Sequence, residues 1–111
     1  MELKHTSHKN CDLIKVTGRV DSATSDQLEQ LLKKIQAGGR HNLVIDMTDV
    51  DFISSRGIWV LVESQKVAKA GNKGQIVLAA IPSKIKESLE LIGMLAYFTV
   101  FDDVVGAVGS F

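Results

Sequence analysis

A single cysteine, Cys11, leaves no internal disulfide to hold this chain together. It lies in a strand-like segment, where a small buried hydrophobe is its expected role. Neither sign of charge is in excess: thirteen basic and thirteen acidic residues give a formal net charge of +0. A nucleic-acid binder would show a basic excess or stripe, so DNA or RNA is not expected as the main partner. No apolar run approaches the ~18 residues of a membrane span. The start, Met1-Glu2-Leu3-Lys4-His5, lacks the basic-then-apolar plan of a signal peptide. These absences lead to the expectation of a soluble cytoplasmic domain, which does not exclude docking onto a membrane protein. Linkers, repeats and low-complexity stretches are missing too. The 111 residues, 45% of them hydrophobic, fit a single domain spanning 1–111 with its own core.

Chemical motifs are equally scarce. The chain has no Walker loop and no G-x-G-x-x-G, which leaves a standard nucleotide site unsupported. The nucleophile elbow G-x-S-x-G is missing. His5 and His8 can approach across a first turn, but neither they nor His41 stand at a metal-ligand spacing with a third ligand. Surface histidines are the expectation, and the pairs Asp46/Asp51 and Asp102/Asp103 read as loop and cap residues. No catalytic residue, cofactor or metal is expected, and a serine-hydrolase reading has no motif behind it.

What is present is an alternation of strands and helices. Leu3–Ser7 and Leu13–Val16 read as short strands joined by a hairpin at His8-Lys9-Asn10. After Gly18–Thr24 comes a helix with Leu28, Leu31, Leu32 and Ile35 on one face. Thr24 and Gln27 fit a capping box, and Gly38-Gly39 marks the end. Within Asn42–Met47 the run Leu43-Val44-Ile45 suits a strand covered on both faces, as in a parallel sheet. A second helical stripe, Ile58, Leu61, Val62 and Ala68, closes at Lys69 and Gly71. Ile76–Ile81 is another strand. Pro82-Ser83 opens a helix carrying Ile85, Leu89 and Ile92, stopped by Gly93. Tyr97–Phe101 suits an edge strand, and Asp102 or Asp103 can cap a weak last helix with Val105 and Val108. The order β-β-α-β-α-β-α-β-α predicts an α/β domain with a mixed, mostly parallel sheet and about four helices.

The stretch Asp51-Phe52-Ile53-Ser54-Ser55-Arg56-Gly57-Ile58 stands out. A helix start needs one capping hydroxyl, and here there are two. Ser54 is placed as N-cap, which leaves the Ser55 hydroxyl free beside unpaired N–H groups and the positive end of the helix dipole. A phosphate on Ser55 would meet both and would add about −1.5 to −2 charges at pH 7. Arg56 is slightly unfavourable at a helix N-terminus unless an anion visits. Gly57 removes a side chain where a partner could come close. A plain double-serine cap remains an alternative. Trp59, the only tryptophan, fits either a half-buried helix-to-sheet contact or an exposed anchor for a partner.

Together, Gly18-x-Val20-Asp21-x-x-Thr24, the strand Asn42–Met47, Ile53-Ser54-Ser55-Arg56-Gly57-Ile58 and Gly74–Leu78 resemble the STAS domain. More narrowly, they resemble single-domain bacterial anti-sigma-factor antagonists, over nearly the whole chain. The resemblance implies a partner switch. The unphosphorylated antagonist binds an anti-sigma factor that is also a serine kinase of the histidine-kinase-like ATPase type. Phosphorylation breaks that complex, and a PP2C-type phosphatase resets it. Aligned on the Gly-Ile pair, the phosphorylated serine falls on Ser55, with Ser54 the second choice, and the family's loop aspartate falls on Asp21 near the partner surface. The partner-binding set would be Asp21, Ser54, Ser55, Arg56, Gly57 and Trp59. The family's usual Asp before the acceptor is Ser54 here, and the often small residue after it is Arg56. A monomer is expected when free. The alternative function is a STAS adaptor subunit, never phosphorylated, in a larger complex such as a lipid transporter.

Overall fold

A computed structural model describes residues 1–111. The elements run β1 (Glu2–Ser7), β2 (Asp12–Val20), α1 (Ser25–Ala37), β3 (Leu43–Ile53), α2 (Ser55–Lys69), β4 (Ile76–Ala79), α3 (Ser83–Leu91), β5 (Thr99–Phe101) and α4 (Val104–Gly109). The five strands form one sheet in sequence order. β1 pairs antiparallel with β2, and β2, β3, β4 and β5 are parallel to one another. This is the expected mixed, mostly parallel sheet with four helices.

Alternation along the strands sends side chains to opposite faces and so builds two cores. Leu43, Ile45 and Met47 of β3 and Ile76 and Leu78 of β4 join Leu28, Leu32 and Ile35 of α1, Leu61 of α2, and Ile85 and Leu89 of α3 in the larger cluster. Val44, Val77 and Ala79 point the other way, onto Cys11 and Ala107 of α4. The continuous Leu43-Val44-Ile45 run is therefore covered on both sides, and Cys11 is the buried hydrophobe its segment suggested.

β3 is longer than expected, and this positions the site. Its eleven residues run beside the nine of β2. Register shifts between Lys15 and Thr17, and again between Gly18 and Arg19, absorb the surplus. Such bulges bend and twist a strand. Here they change the inward spacing from two to three, so that Met47, Val50 and Ile53 are all buried. The strand expected to end at Met47 thus continues through Asp51-Phe52-Ile53 and stops at Ser54.

Several local expectations are corrected. The Thr24–Gln27 capping box does not form, because Thr24 Oγ is used upstream: it accepts from Asp21 N at 3.0 Å and donates to the Arg19 carbonyl at 2.8 Å. Asp21 holds the turn instead, its Oδ1 accepting from Ala23 N and Thr24 N, both at 3.0 Å. Leu31 is only half-buried. Asp46 is not a loop residue but a buried one in β3, accepting from Thr48 N and Oγ. β4 ends at Ala79 rather than Ile81, since Ala80 turns to φ 54° and Pro82 follows. A 3-10 turn takes Leu95–Tyr97 and leaves only Thr99–Phe101 in the edge strand. Ile92 follows the last turn of α3 and is exposed. On α4 it is Ala107 that packs inward, while Val105 is 84% exposed. Asp103 caps that helix, accepting from Gly106 N at 2.6 Å.

Candidate functional site

The site lies where two neighbouring parallel strands end. Val20 pairs with Ile53 in the last register of β2 and β3, and the chain leaving β3 is held by Ser54 N donating to the Val20 carbonyl at 2.7 Å. The Asp21 turn and the start of α2 are thereby set side by side. Ligand sites of open parallel sheets collect at this end, outside the carboxyl termini of the strands.

At the start of α2 the two serines have different surroundings. Ser54 is extended, at φ −82° and ψ 169°, and its side chain accepts from Gly57 N at 3.2 Å. That bond satisfies one of the helix's orphan donors. Ser55 sits in the first turn, exposed, and its hydroxyl takes no partner within the chain. One hydroxyl is consumed by the fold, and one is open.

Arg56 already has partners in the unmodified chain. Its guanidinium donates to Asp26 of α1 at 2.8 Å and to Glu29 at 3.3 Å. The Asp26 hydrogen bond and the Glu29 charge hold the guanidinium even more firmly in its charged form. The residue that looked misplaced at a helix start is a cross-link between α1 and α2. Gly57 also has an internal reason. A Cβ there would stand 2.7 Å from Val20 Cγ1 and 3.0 Å from Ile53 Cγ1, so the glycine lets α2 close on the strand ends. It is buried.

Asp21 is a half-exposed carboxylate. Hydrogen bonds from Thr24, backbone and side chain, together with the Ala23 N–H and the Arg19 charge, hold its pKa below the ordinary range despite a small opposing effect of burial. Trp59 is 48% exposed and stands one turn after Ser55, on the same helix face. The Lys66 ammonium lies over its ring at 5.5 Å. About half its surface is covered and half faces water.

The structure therefore gathers Asp21, Ser54, Ser55 and Arg56 at one end of the sheet, extends the surface along α2 to Trp59, and turns Gly57 inward. Sequence reasoning missed Asp26 and Glu29, whose i, i+3 spacing on α1 was visible but whose partner on another helix was not. It also missed the exposed Phe52, whose ring lies 4.2 Å under the Arg19 guanidinium on the neighbouring strand. Far from this site, His5 reaches not His8 but Asp12, at 3.4 Å.

The family model of the STAS domain matches residues 3–107. This chain belongs to the STAS domain family. A Bordetella bronchiseptica protein named as an anti-sigma factor antagonist, BtrV, is 31% identical to this STAS domain over 94 residues, 85% of this chain and 80% of that one. The crystal structure of an anti-sigma factor antagonist from Mycobacterium paratuberculosis superposes with a TM-score of 0.86 at 22% identity, covering 98% and 92% of the two chains. The Bacillus cell fate determinant SpoIIAA in its phosphorylated form gives 0.77 at 12% identity, covering 98% of both. These two likenesses are of fold alone. The resemblance seen in the Gly-x-Val-Asp and Ile-Ser-Ser-x-Gly-Ile segments is thus a family relationship.

Proposed function

We propose that this STAS domain is an anti-sigma-factor antagonist in a cytoplasmic partner switch, with Ser55 as the phosphate acceptor. Unphosphorylated, the surface of Asp21, Ser54, Ser55 and Trp59 binds an anti-sigma factor that is also a serine kinase of the histidine-kinase-like ATPase type. Phosphate on Ser55 breaks the complex, and a PP2C-type phosphatase restores it. The protein regulates by binding and has no catalytic role of its own.

The observation that carries this reading is the division between the serines. Ser54 already caps α2 through Gly57 N, so Ser55 contributes nothing to the start of the helix and is exposed. A phosphate at that position faces the positive end of α2, where the free domain tolerates it. Within a packed interface the same group is desolvated, and against acidic partner groups it costs several kcal/mol. That is at least a hundredfold in affinity, with no rearrangement of the domain. The relatives named as anti-sigma factor antagonists support the partner class.

A second reading is a STAS adaptor subunit that is never phosphorylated. It gains from Arg56 and Gly57, whose roles inside the fold remove two of the features that pointed to a switch. Mass spectrometry of the protein recovered from its native cells, growing and stressed, separates the two. Phosphate on Ser55 in a fraction that changes with conditions is the expected result. Phosphate on Ser54 would move the acceptor by one residue and reverse the capping assignment. Two unmodified serines, with a constitutive complex that tolerates Ser55→Ala, would favour the adaptor.

A further inference from the structure

Arg56 follows the acceptor serine directly and is already engaged. Its Nη2 spans Asp26 Oδ1 at 2.8 Å and Glu29 Oε1 at 3.3 Å. These contacts are the ion pairs that join α1 to α2. We propose that Arg56 is a charge relay: phosphate on Ser55 draws its guanidinium off α1, and so presents Asp26 as a free carboxylate on a second helix and leaves Glu29 to Lys33. The inference rests on Ser55 as the acceptor and adds how the modification is read beyond α2.

The competition favours transfer. A phosphate dianion offers three strong acceptor oxygens, which a guanidinium engages in bidentate fashion. The α1 contacts are easy to give up. The Asp26 side chain is 61% exposed, so water replaces the guanidinium at little cost. Glu29 keeps a second cation, Lys33, one turn away at 3.8 Å. Arg56 is the one cation in the first turn of α2, so a phosphate there without it would have no side-chain partner from its own helix turn. With Arg56 it is partly neutralised.

The consequence for a partner is larger than the phosphate alone. In the unmodified protein Arg56 and Lys33 match Asp26 and Glu29 charge for charge. After transfer, the exposed Asp26 carboxylate of α1 is left unpaired and Glu29 keeps Lys33, while the phosphate and Arg56 pair on α2. A partner that lies across both helices then meets new negative charge on each. Signal and readout are separated by one arginine side chain, and no backbone need move.

The test installs phosphoserine at position 55 during translation, so that no kinase is needed, in the otherwise unaltered chain. The second phosphate pKa is followed by phosphorus NMR and the Asp26 and Glu29 carboxyls by carbon NMR. An exposed phosphoserine titrates near about 6. Transfer predicts that Arg56→Gln raises the phosphate pKa and that Asp26→Asn, which leaves Arg56 only Glu29 on α1, lowers it. It also predicts that Arg56→Gln moves the Asp26 carboxyl resonance in the unmodified protein and leaves it in place in the phosphorylated one, where the contact is already gone. A phosphate titration indifferent to Arg56→Gln, or an Asp26 carboxyl resonance indifferent to phosphorylation, overturns the relay without touching Ser55 as acceptor. If native cells never phosphorylate Ser55, the functional reading falls instead, whatever the installed phosphate does.

Discussion

At the scale of single residues, the start of α2 shows how similar side chains acquire different work. Ser54 Oγ accepts from Gly57 N, and losing such a cap costs about 1 kcal/mol. Ser54→Ala is therefore expected to lower stability by about that amount in urea denaturation. Ser55→Ala removes a hydroxyl without a partner and should stay within about 0.5 kcal/mol of the parent. Equal losses for the two variants would refute the division. Gly57→Ala is the harsher change. Its Cβ would press on Val20 Cγ1 from 2.7 Å, and overpacking of this kind costs about 1–3 kcal/mol. Because the Val20 carbonyl also receives the Ser54 N–H, the Gly57→Ala variant should show altered amide shifts at the starts of both α1 and α2.

Elements are joined by buried polar groups at the other pole of the sheet. Arg40, in the connection between α1 and β3, donates to Asp12 Oδ1 at 3.0 Å and to the carbonyls of His8, Lys9 and Cys11. It clamps the β1–β2 hairpin to the helical layer. The Asp12 side chain is only 2% exposed. Burial pushes its pKa up, but hydrogen bonds from Arg40, Ser7 and His5 and the Arg40 charge outweigh this and hold it below the ordinary range. A lowered carboxylate pKa stabilises the fold above the unfolded value of about 3.9 and is lost as pH falls through the folded value. Arg40→Ala leaves a buried carboxylate short of its main partner, a change that costs about 3 kcal/mol near neutral pH. The gap between the two proteins should narrow as pH falls below about 4 and through the lowered folded value of Asp12 in the parent, until the carboxyl is protonated in both. A gap that persists in acid would assign the effect to the carbonyl contacts alone. Gln65 makes a similar junction: Oε1 accepts from Ile76 N, and Nε2 donates to the carbonyls of Ile76 and Tyr97. It ties α2 to β4 and to the turn before β5.

For the molecule as a whole, the phosphate is expected to act on association and not on folding. Protein carrying phosphoserine at position 55 should keep the far-ultraviolet spectrum of the unmodified form while its affinity for the anti-sigma factor drops at least a hundredfold. Calorimetric titration of both forms against the same partner decides this. Trp59→Ala should weaken binding of the unmodified form by about 2 kcal/mol or more, since a half-exposed tryptophan beside the switch has the character of an interface hot spot. An unchanged affinity would reduce the ring to a support for the Lys66 side chain that lies over it.

By itself the sequence determined the order of elements, the parallel sheet and the identity of the cap. Each of these follows from local pattern: alternating apolar periods, a continuous Leu43-Val44-Ile45 run, and a serine at the junction between an apolar run and a helical stripe. The family segments were legible for the same reason, being short and contiguous. Only the tertiary structure decided what the residues around the cap are for. Arg56 finds its carboxylates on a helix some thirty residues away, Gly57 is fixed by a valine at the end of another strand, and β3 runs to Ile53 because two bulges let eleven residues pair with nine. The capping box at Thr24 failed in the same manner: its hydroxyl was claimed by Arg19 and Asp21 as the end of β2 turned. Contacts of this kind join groups that the fold alone brings together, and no periodicity along the chain records them.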